Sequence, residues 1–307
     1  MRARKGSKLD GLLLLDKPLG VTSNGILQRV RKLFGARKAG HTGSLDPLAS
    51  GVLPICFGEA TKFSSFGLEA DKAYLATGTL GVRTETGDAE GNVVAEAAVP
   101  EELDEASLNR VIQLFTGTVH QVPSMYSALK YQGRPLYEYA RKGVDVPREG
   151  RDIQIHELKL LRFGSETFDI YVRCSKGTYI RTLVEDIGEK LGCGAHVSAL
   201  RRVQSGPYLI DSCKTIEELE VLIGEVDPSE FKSHLLGVDA LVEHLPLISL
   251  GNADSGSILQ GQTVRMSASA SPGTYRLYSD TKEFLGIGTL DECGDIRPKR
   301  LISSPIN

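Results

Sequence analysis

The stretch RKAGHTGSLDPLASGVLP, residues 37–54, holds a single acid, Asp46, among three glycines and two prolines. Pro47 disfavours helical backbone at Asp46, and the glycines reach angles closed to other residues, so the acid belongs to an irregular turn. A carboxylate held there can act as a nucleophile or a base. It needs a cation to keep it ionised and oriented, because a buried carboxylate alone takes up a proton. Arg181, in KGTYIRTL (176–183), is one candidate partner. Tyr74, after Asp71-Lys72, and Tyr179 each offer a ring that can stack on a planar ligand. Each residue also has a structural reading: Asp before Pro is ordinary turn chemistry, and most strand tyrosines simply pack.

The elements that must position these residues follow from periodicity. Leu12 to Leu15 reads as a buried strand, and the Asp16-Lys17-Pro18-Leu19-Gly20 segment as a turn. Ser23 can cap a helix with Ile26, Leu27, Val30, Leu33 and Phe34 on its apolar face, ended by Gly35. Lys72 to Val82 reads as a strand, Thr84 to Gly91 as an acidic loop, and Pro100 to Phe115 as an amphipathic helix. From about 121 to 151 tyrosines alternate with Lys130, Arg134, Arg141 and Lys142, which marks an insert. Phe168 to Val172 alternates as a strand. Leu183, Val184, Ile187 and Leu191 then mark a helix stopped by Gly192, and Thr215 to Glu218 offers a capping box. The last sixty or so residues read as a small β domain.

Composition bounds the possibilities. A chain of 307 residues with 41% hydrophobic content can fill a core in one large and one small domain. No apolar run approaches the roughly 20 residues that span a bilayer, and the basic start MRARKGSKLDG lacks a signal-like core, so no membrane role and a cytoplasmic location are expected. Five scattered cysteines without a CxxC pair suit a reducing compartment without structural zinc, and six dispersed histidines suggest no metal cluster. The net charge of −3 hides a segregation: residues 1–62 carry eleven Lys/Arg against four Asp/Glu, whereas 85–105 carry eight acids and no base. Residues 211–243 carry nine acids and two bases. One basic working face with acidic outer faces fits a polyanionic partner. Walker, GxGxxG, HExxH and GxSxG motifs are missing, and Ser127 to Lys130 matches SxxK without an SDN or KTG partner.

Six blocks in order carry a resemblance: KPLGVTSN (17–24), GHTGSLDPLASGVLPICFGEATKF (40–63), DKAY (71–74), QVPSMYSALKYQGRPLYEYAR (121–141), KGTYIRTL (176–183) and LRR (200–202). Together they resemble the TruB family of pseudouridine synthases over essentially the whole chain. Ser124 departs from the second proline of many relatives. The resemblance implies isomerisation of uridine-55 in the T loop of tRNA, in which the bond from ribose C1′ to uracil N1 is broken and remade to C5. It implies no cofactor, no metal, no guide RNA and no protein partner, and a monomer acting on the T arm.

The fold implied is α+β: a mixed, largely antiparallel catalytic domain over 1–248 with a thumb at about 121–151, and a PUA-like β-barrel over 249–307. Asp46 would be the catalytic aspartate, acting on a base taken out of the RNA stack. Its route stays open between attack on the ribose, addition to the ring and removal of a ribose proton. Tyr74 would stack on the uracil near C5, Arg181 would pair with Asp46 and keep it charged, and His41 would fill the space the base leaves. Tyr179 and the backbone at Leu200 would hold the nucleotide, Asp88 would join the network around Arg181, and Lys130, Arg141 and Lys142 would meet phosphates. The thumb is expected to be loosely held without RNA, and the C-terminal domain to fold independently. Two rivals are an N-glycoside hydrolase using Asp46 and Asp88 as a pair, and an RNA-folding module without chemistry.

Overall fold

The computed structural model describes residues 8–225, 233–266 and 270–306; the basic residues at 2, 4 and 5 and part of the acidic 211–243 stretch lie outside them. The Leu12 to Leu15 run is the middle of strand β1 (Gly11–Lys17). Helix α1 (Ser23–Leu33), strands β2 (Ala39–His41) and β3 (Ala49–Phe57), helix α2 (Ser64–Glu69) and strand β4 (Lys72–Leu80) follow. A hairpin of β5 (Val82–Thr84) and β6 (Val93–Glu96), helix α3 (Glu105–Gln113) and strand β7 (Gly117–Gln121) lead into the thumb. The thumb contains β8 (Lys130–Tyr131), β9 (Arg134–Pro135) and α4 (Leu136–Ala140). The chain returns through β10 (Arg151–Phe163), β11 (Thr167–Cys174), α5 (Ile180–Leu191), β12 (Ala195–Ser205), β13 (Tyr208–Leu209) and α6 (Ile216–Glu225).

The main sheet runs β1-β3-β12-β4-β11-β10-β7, with β2 on β3 and β13 on β12. Only the β12–β3 pairing is parallel; the other pairs are antiparallel. This is the mixed, largely antiparallel α+β arrangement expected. β12 lies between β3 and β4, setting Leu200 opposite Ala49 and Ala76, and Arg202 opposite Gly51 and Tyr74. Gly51, at φ +106°, allows the close crossing: a Cβ there would fall 2.1 Å from the Arg202 carbonyl oxygen.

Several boundaries differ from the sequence reading for local reasons. Thr22, not Ser23, caps α1, accepting from the Gly25 amide, which frees the Ser23 hydroxyl for another task. α3 begins only at Glu105, because Asp104 and Ser107 close a capping box there. The expected strand to Val82 breaks at Gly81, whose φ is +81°. Within the thumb, Ser127, Leu136 and Val146 are buried.

The C-terminal unit comprises β14 (Leu247–Leu250), α7 (Asn252–Leu259), β15 (Val264–Arg265), β16 (Gly273–Ser279), β17 (Phe284–Leu290) and β18 (Asp295–Ile306). Its five strands order β14-β16-β17-β18-β15, consistent with a PUA-like domain. It does not stand apart from the larger unit. β1 is buried on both faces: Leu13 and Leu15 pack with α1 and α6, whereas Leu12 and Leu14 join Phe63, Phe284, Ile287 and Ile302 in one cluster. The Lys62 ammonium also reaches the Leu301 carbonyl and the Ser303 hydroxyl. Expected independence therefore gives way to a shared core. Phe284, whose ring lies tilted with its centroid 5.4 Å from those of both Phe63 and Tyr278, is its centre. Phe284→Ala should cost about 3–5 kcal/mol and lower a single melting transition read by calorimetry, where independent units would show two.

Candidate active site

The loop carrying Asp46 is pinned from several sides. The Ser23 hydroxyl donates to the Leu45 carbonyl at 2.9 Å and accepts from the Leu45 amide at 2.7 Å, tying the start of α1 to the loop. The Gly20 amide donates to the Pro47 carbonyl at 2.9 Å, and the Ala49 amide to the Asp46 carbonyl at 3.1 Å. Asp46 itself keeps 44% of its side chain open, facing a cleft of about 340 Å³. Leu200 and Tyr74 line that cleft from the sheet, and Tyr179 and Arg181 from the start of α5. Asp46, Tyr74, Leu200 and the Tyr179–Arg181 pair thus meet from four separated stretches of sequence.

Arg181 is the hub. Its guanidinium contacts Asp46 Oδ2 at 2.9 Å and Asp88 Oδ2 at 3.3 Å, and donates to the carbonyls of Thr86 at 2.8 Å and Tyr126 at 3.0 Å. Its side chain and that of Asp88 are only 6% and 5% exposed, so Asp88 lies behind Arg181 rather than beside Asp46 in the cleft. Asp88 is further held by the Thr86 hydroxyl at 2.6 Å and the Glu90 amide at 3.1 Å. The walls of the cleft desolvate the Asp46 carboxyl and push its pKa above the ordinary carboxylate value; Arg181 opposes this shift and Asp88 adds to it. The expected pairing of Arg181 with Asp46 forms, and it works against the desolvation of the carboxyl.

Three further cations were left unassigned by sequence reasoning: Lys72 and Arg202, which line the cleft, and Lys17, which does not. Arg202, 1% exposed, donates from Nε to the Val52 carbonyl at 2.7 Å and from a terminal nitrogen to the Gly43 carbonyl at 3.2 Å, and lies against the Tyr74 phenol. Lys72 is held by the carbonyls of Gly67, Leu68 and Ala70, and burial, then Arg202, lower its pKa to about 8. Lys17 donates to the carbonyls of Pro18 and Val21, and burial lowers it to about 8 as well. All three fall inside the quoted sequence blocks, but only their register on the sheet shows that they point inward. Burial pushes the Tyr74 hydroxyl upward, so it is a neutral phenol at neutral pH.

His41 does not line the cleft. It ends β2, where burial and then Arg202 lower its pKa and favour the uncharged ring. Lys130, Arg141 and Lys142 are exposed on the thumb, Arg141 over the Tyr137 ring at 5.3 Å. Among the described residues no group of His, Cys, Asp and Glu could hold a metal ion, and no helix is long and apolar enough to cross a membrane.

Comparison with known proteins places this geometry. A model described as TruB family pseudouridylate synthase (N terminal domain) matches residues 31–180, and tRNA pseudouridylate synthase B C-terminal domain matches 181–243. Pseudouridine synthase II TruB, C-terminal, matches 246–302. The tRNA pseudouridine synthase B of Chromohalobacter salexigens is 49% identical over 99% of this chain and 97% of its own. That of Methylobacillus flagellatus is 50% identical over 96% and 95%. Among solved structures, a chain of a Cbf5-Nop10-Gar1 complex aligns with TM-score 0.69 and 25% identity, covering 92% of this chain and 79% of its own. One from an archaeal box H/ACA Nop10-Cbf5 complex has TM-score 0.71 at 22% identity, covering 98% and 92%, and shows the shared fold.

The charges around Asp46 set the sign of its titration. A carbon-13 titration should place the Asp46 carboxyl above the ordinary value of about 3.9. Asp88→Asn removes a like charge while keeping the amide in place, so it should move that midpoint down; an unchanged or higher midpoint would remove Asp88 from the electrostatics of the site.

Proposed function

The chain belongs to the TruB family of pseudouridine synthases, and from that premise we propose that it converts uridine-55 in the T loop of tRNA to pseudouridine. It is an enzyme that isomerises a uridine in tRNA. The observation that carries the residue-level reading is the single carboxylate in the cleft: among its described lining residues only Asp46 is acidic, with Arg181 directly behind it and Tyr74 on the floor.

In this reading the uridine is extruded from the T loop and its uracil stacks on Tyr74, which repays part of the few kcal/mol spent on unstacking. Asp46 drives release of N1 from C1′. The uracil turns within the cleft, C5 bonds to C1′, and the C5 proton is lost while N1 regains one, so atoms balance without a cofactor. The Tyr74 hydroxyl lies where the C5 proton departs, and Tyr179 and the Leu200 backbone hold the nucleotide. His41, half-buried at the end of β2, takes the space left in the RNA. Lys130, Arg141 and Lys142, exposed on the thumb, meet phosphates of the T arm.

The proposal includes a catalytic unit and a C-terminal RNA-binding unit, supported by separate sheets, with the division expected at 248/249 moved ahead of β14, which begins at Leu247. It also has the chain act as a monomer, without guide RNA or protein partner, in the cytoplasm, where free cysteines persist. The hydrolase alternative needs two carboxylates flanking the sugar, and Asp88 is buried behind Arg181 instead.

Incubation with an unmodified tRNA transcript should give pseudouridine at position 55 with no change in RNA mass; free uracil would mean hydrolysis. Asp46→Asn should abolish product while binding falls by less than about tenfold, roughly 1.4 kcal/mol, because many other contacts hold the RNA. Tyr74→Phe keeps the stacking face and should bind nearly normally but turn over poorly, whereas Tyr74→Leu should lose both. Full activity of the Phe variant would take the hydroxyl out of the reaction.

A further inference from the structure

The thumb leaves the sheet at Gln121 and returns at Arg151, and these two residues are register partners on β7 and β10. Both turn toward the segment that carries Tyr179. The Gln121 side chain, 2% exposed, donates to the Tyr179 carbonyl at 3.0 Å and accepts from the Tyr179 amide at 2.8 Å, so one amide grips both sides of that residue. The Arg151 guanidinium lies over the Tyr179 ring at 5.2 Å and donates to the Gly177 carbonyl. Gly177, at φ +78°, makes room for it: a Cβ there would sit 3.1 Å from Arg151 Cζ. Arg151 has no carboxylate partner among the described residues, and its Nε is buried without a hydrogen bond. Stacking and one carbonyl, not an ion pair, therefore hold this cation at the cleft wall.

We propose that Gln121 and Arg151 are positioning residues that fix the backbone and the ring of Tyr179, so that the root of the thumb sets the pose of the nucleotide-binding tyrosine. This rests on the reading that Tyr179 contacts the nucleotide. It gives the glycine of KGTYIRTL a task beyond the turn, and it explains why the thumb is rooted on strands beside α5. A thumb engaged by RNA pulls on the two residues that hold Tyr179.

The test is a cycle of Arg151→Met and Tyr179→Leu, with Arg151→Lys as the charge-conserving variant, read as KM and kcat on a tRNA transcript together with melting temperature. Arg151→Met should raise KM by about tenfold at unchanged melting temperature, and by less than about twofold once Tyr179→Leu is present, because coupled residues do not act additively. Arg151→Lys, lacking the planar face, should recover little. Gln121→Ala should raise KM and couple to Tyr179→Leu in the same way, which keeps the proposal testable through a second residue. Multiplying losses overturn the clamp. So does full recovery by Lys with a salt slope lowered by about one in Arg151→Met, the mark of a plain phosphate contact. Full activity of Tyr179→Leu alone would instead overturn the reading of Tyr179 as a nucleotide contact, so the two failures are distinct.

Discussion

A buried guanidinium between two carboxylates organises this molecule. Arg181 cannot leave its place without stranding Asp88 in the interior, and breaking a buried pair of this kind costs on the order of 3–5 kcal/mol. Its donors reach three separate stretches: the Asp46 loop, the Thr86–Asp88 loop and Tyr126 at the base of the thumb. One side chain therefore fixes the relative positions of the carboxylate, the loop behind it and the insert above it. The same burial that makes Arg181 immovable desolvates Asp46, so the carboxyl is held in place by its cation yet remains more basic than an exposed one. Division of labour between Asp46 and Asp88 follows from exposure alone. One faces the cleft, and the other supports the arginine.

Around this pair the protein accumulates cations and satisfies them with carbonyl oxygens instead of acids. Lys17, Lys72 and Arg202 each donate to backbone carbonyls, and Arg202 and Lys72 depress nothing by pairing with a carboxylate. Carbonyl caging keeps buried donors hydrogen-bonded while leaving their positive charge to act on the cleft. That suits a site that receives RNA, a polyanion. Arg202 adds a mechanical role, because it joins the Gly43 carbonyl of the Asp46 loop to the Tyr74 side of the sheet.

The two units of the chain are coupled through β1, whose alternate leucines serve two cores. Over its stretch Leu12 to Leu15 such a strand must be apolar at each position. The C-terminal sheet is thereby held against the 3₁₀ turn at Gly58–Phe63 that follows β3, the strand into which the Asp46 loop runs. Contacts of distant parts of tRNA with that sheet would be made on a surface already fixed relative to the cleft.

Local chemistry made much of this legible in the sequence. Gly192 ends α5 in a left-handed conformation, Thr215 and Glu218 close their capping box, and β1 appears as an unbroken leucine run, because caps and strand burial are written within a few residues. Asp46, Tyr74, Tyr179 and Arg181 could be named because each sits in a block whose residue types carry the chemistry, whereas Leu200 was named from the family resemblance alone. What tertiary structure alone decided are quantities that depend on partners far along the chain. That Arg202 and Lys72 point inward follows from β12 inserting between β3 and β4, a pairing of segments more than a hundred residues apart. That Asp88 supports rather than flanks Asp46, that Gln121 grips Tyr179, and that Phe284 shares a core with Phe63 arise from the same cause. Sequence specifies side-chain chemistry and local backbone preference, whereas burial, and with it the sign of each pKa shift, is a property of the packed whole.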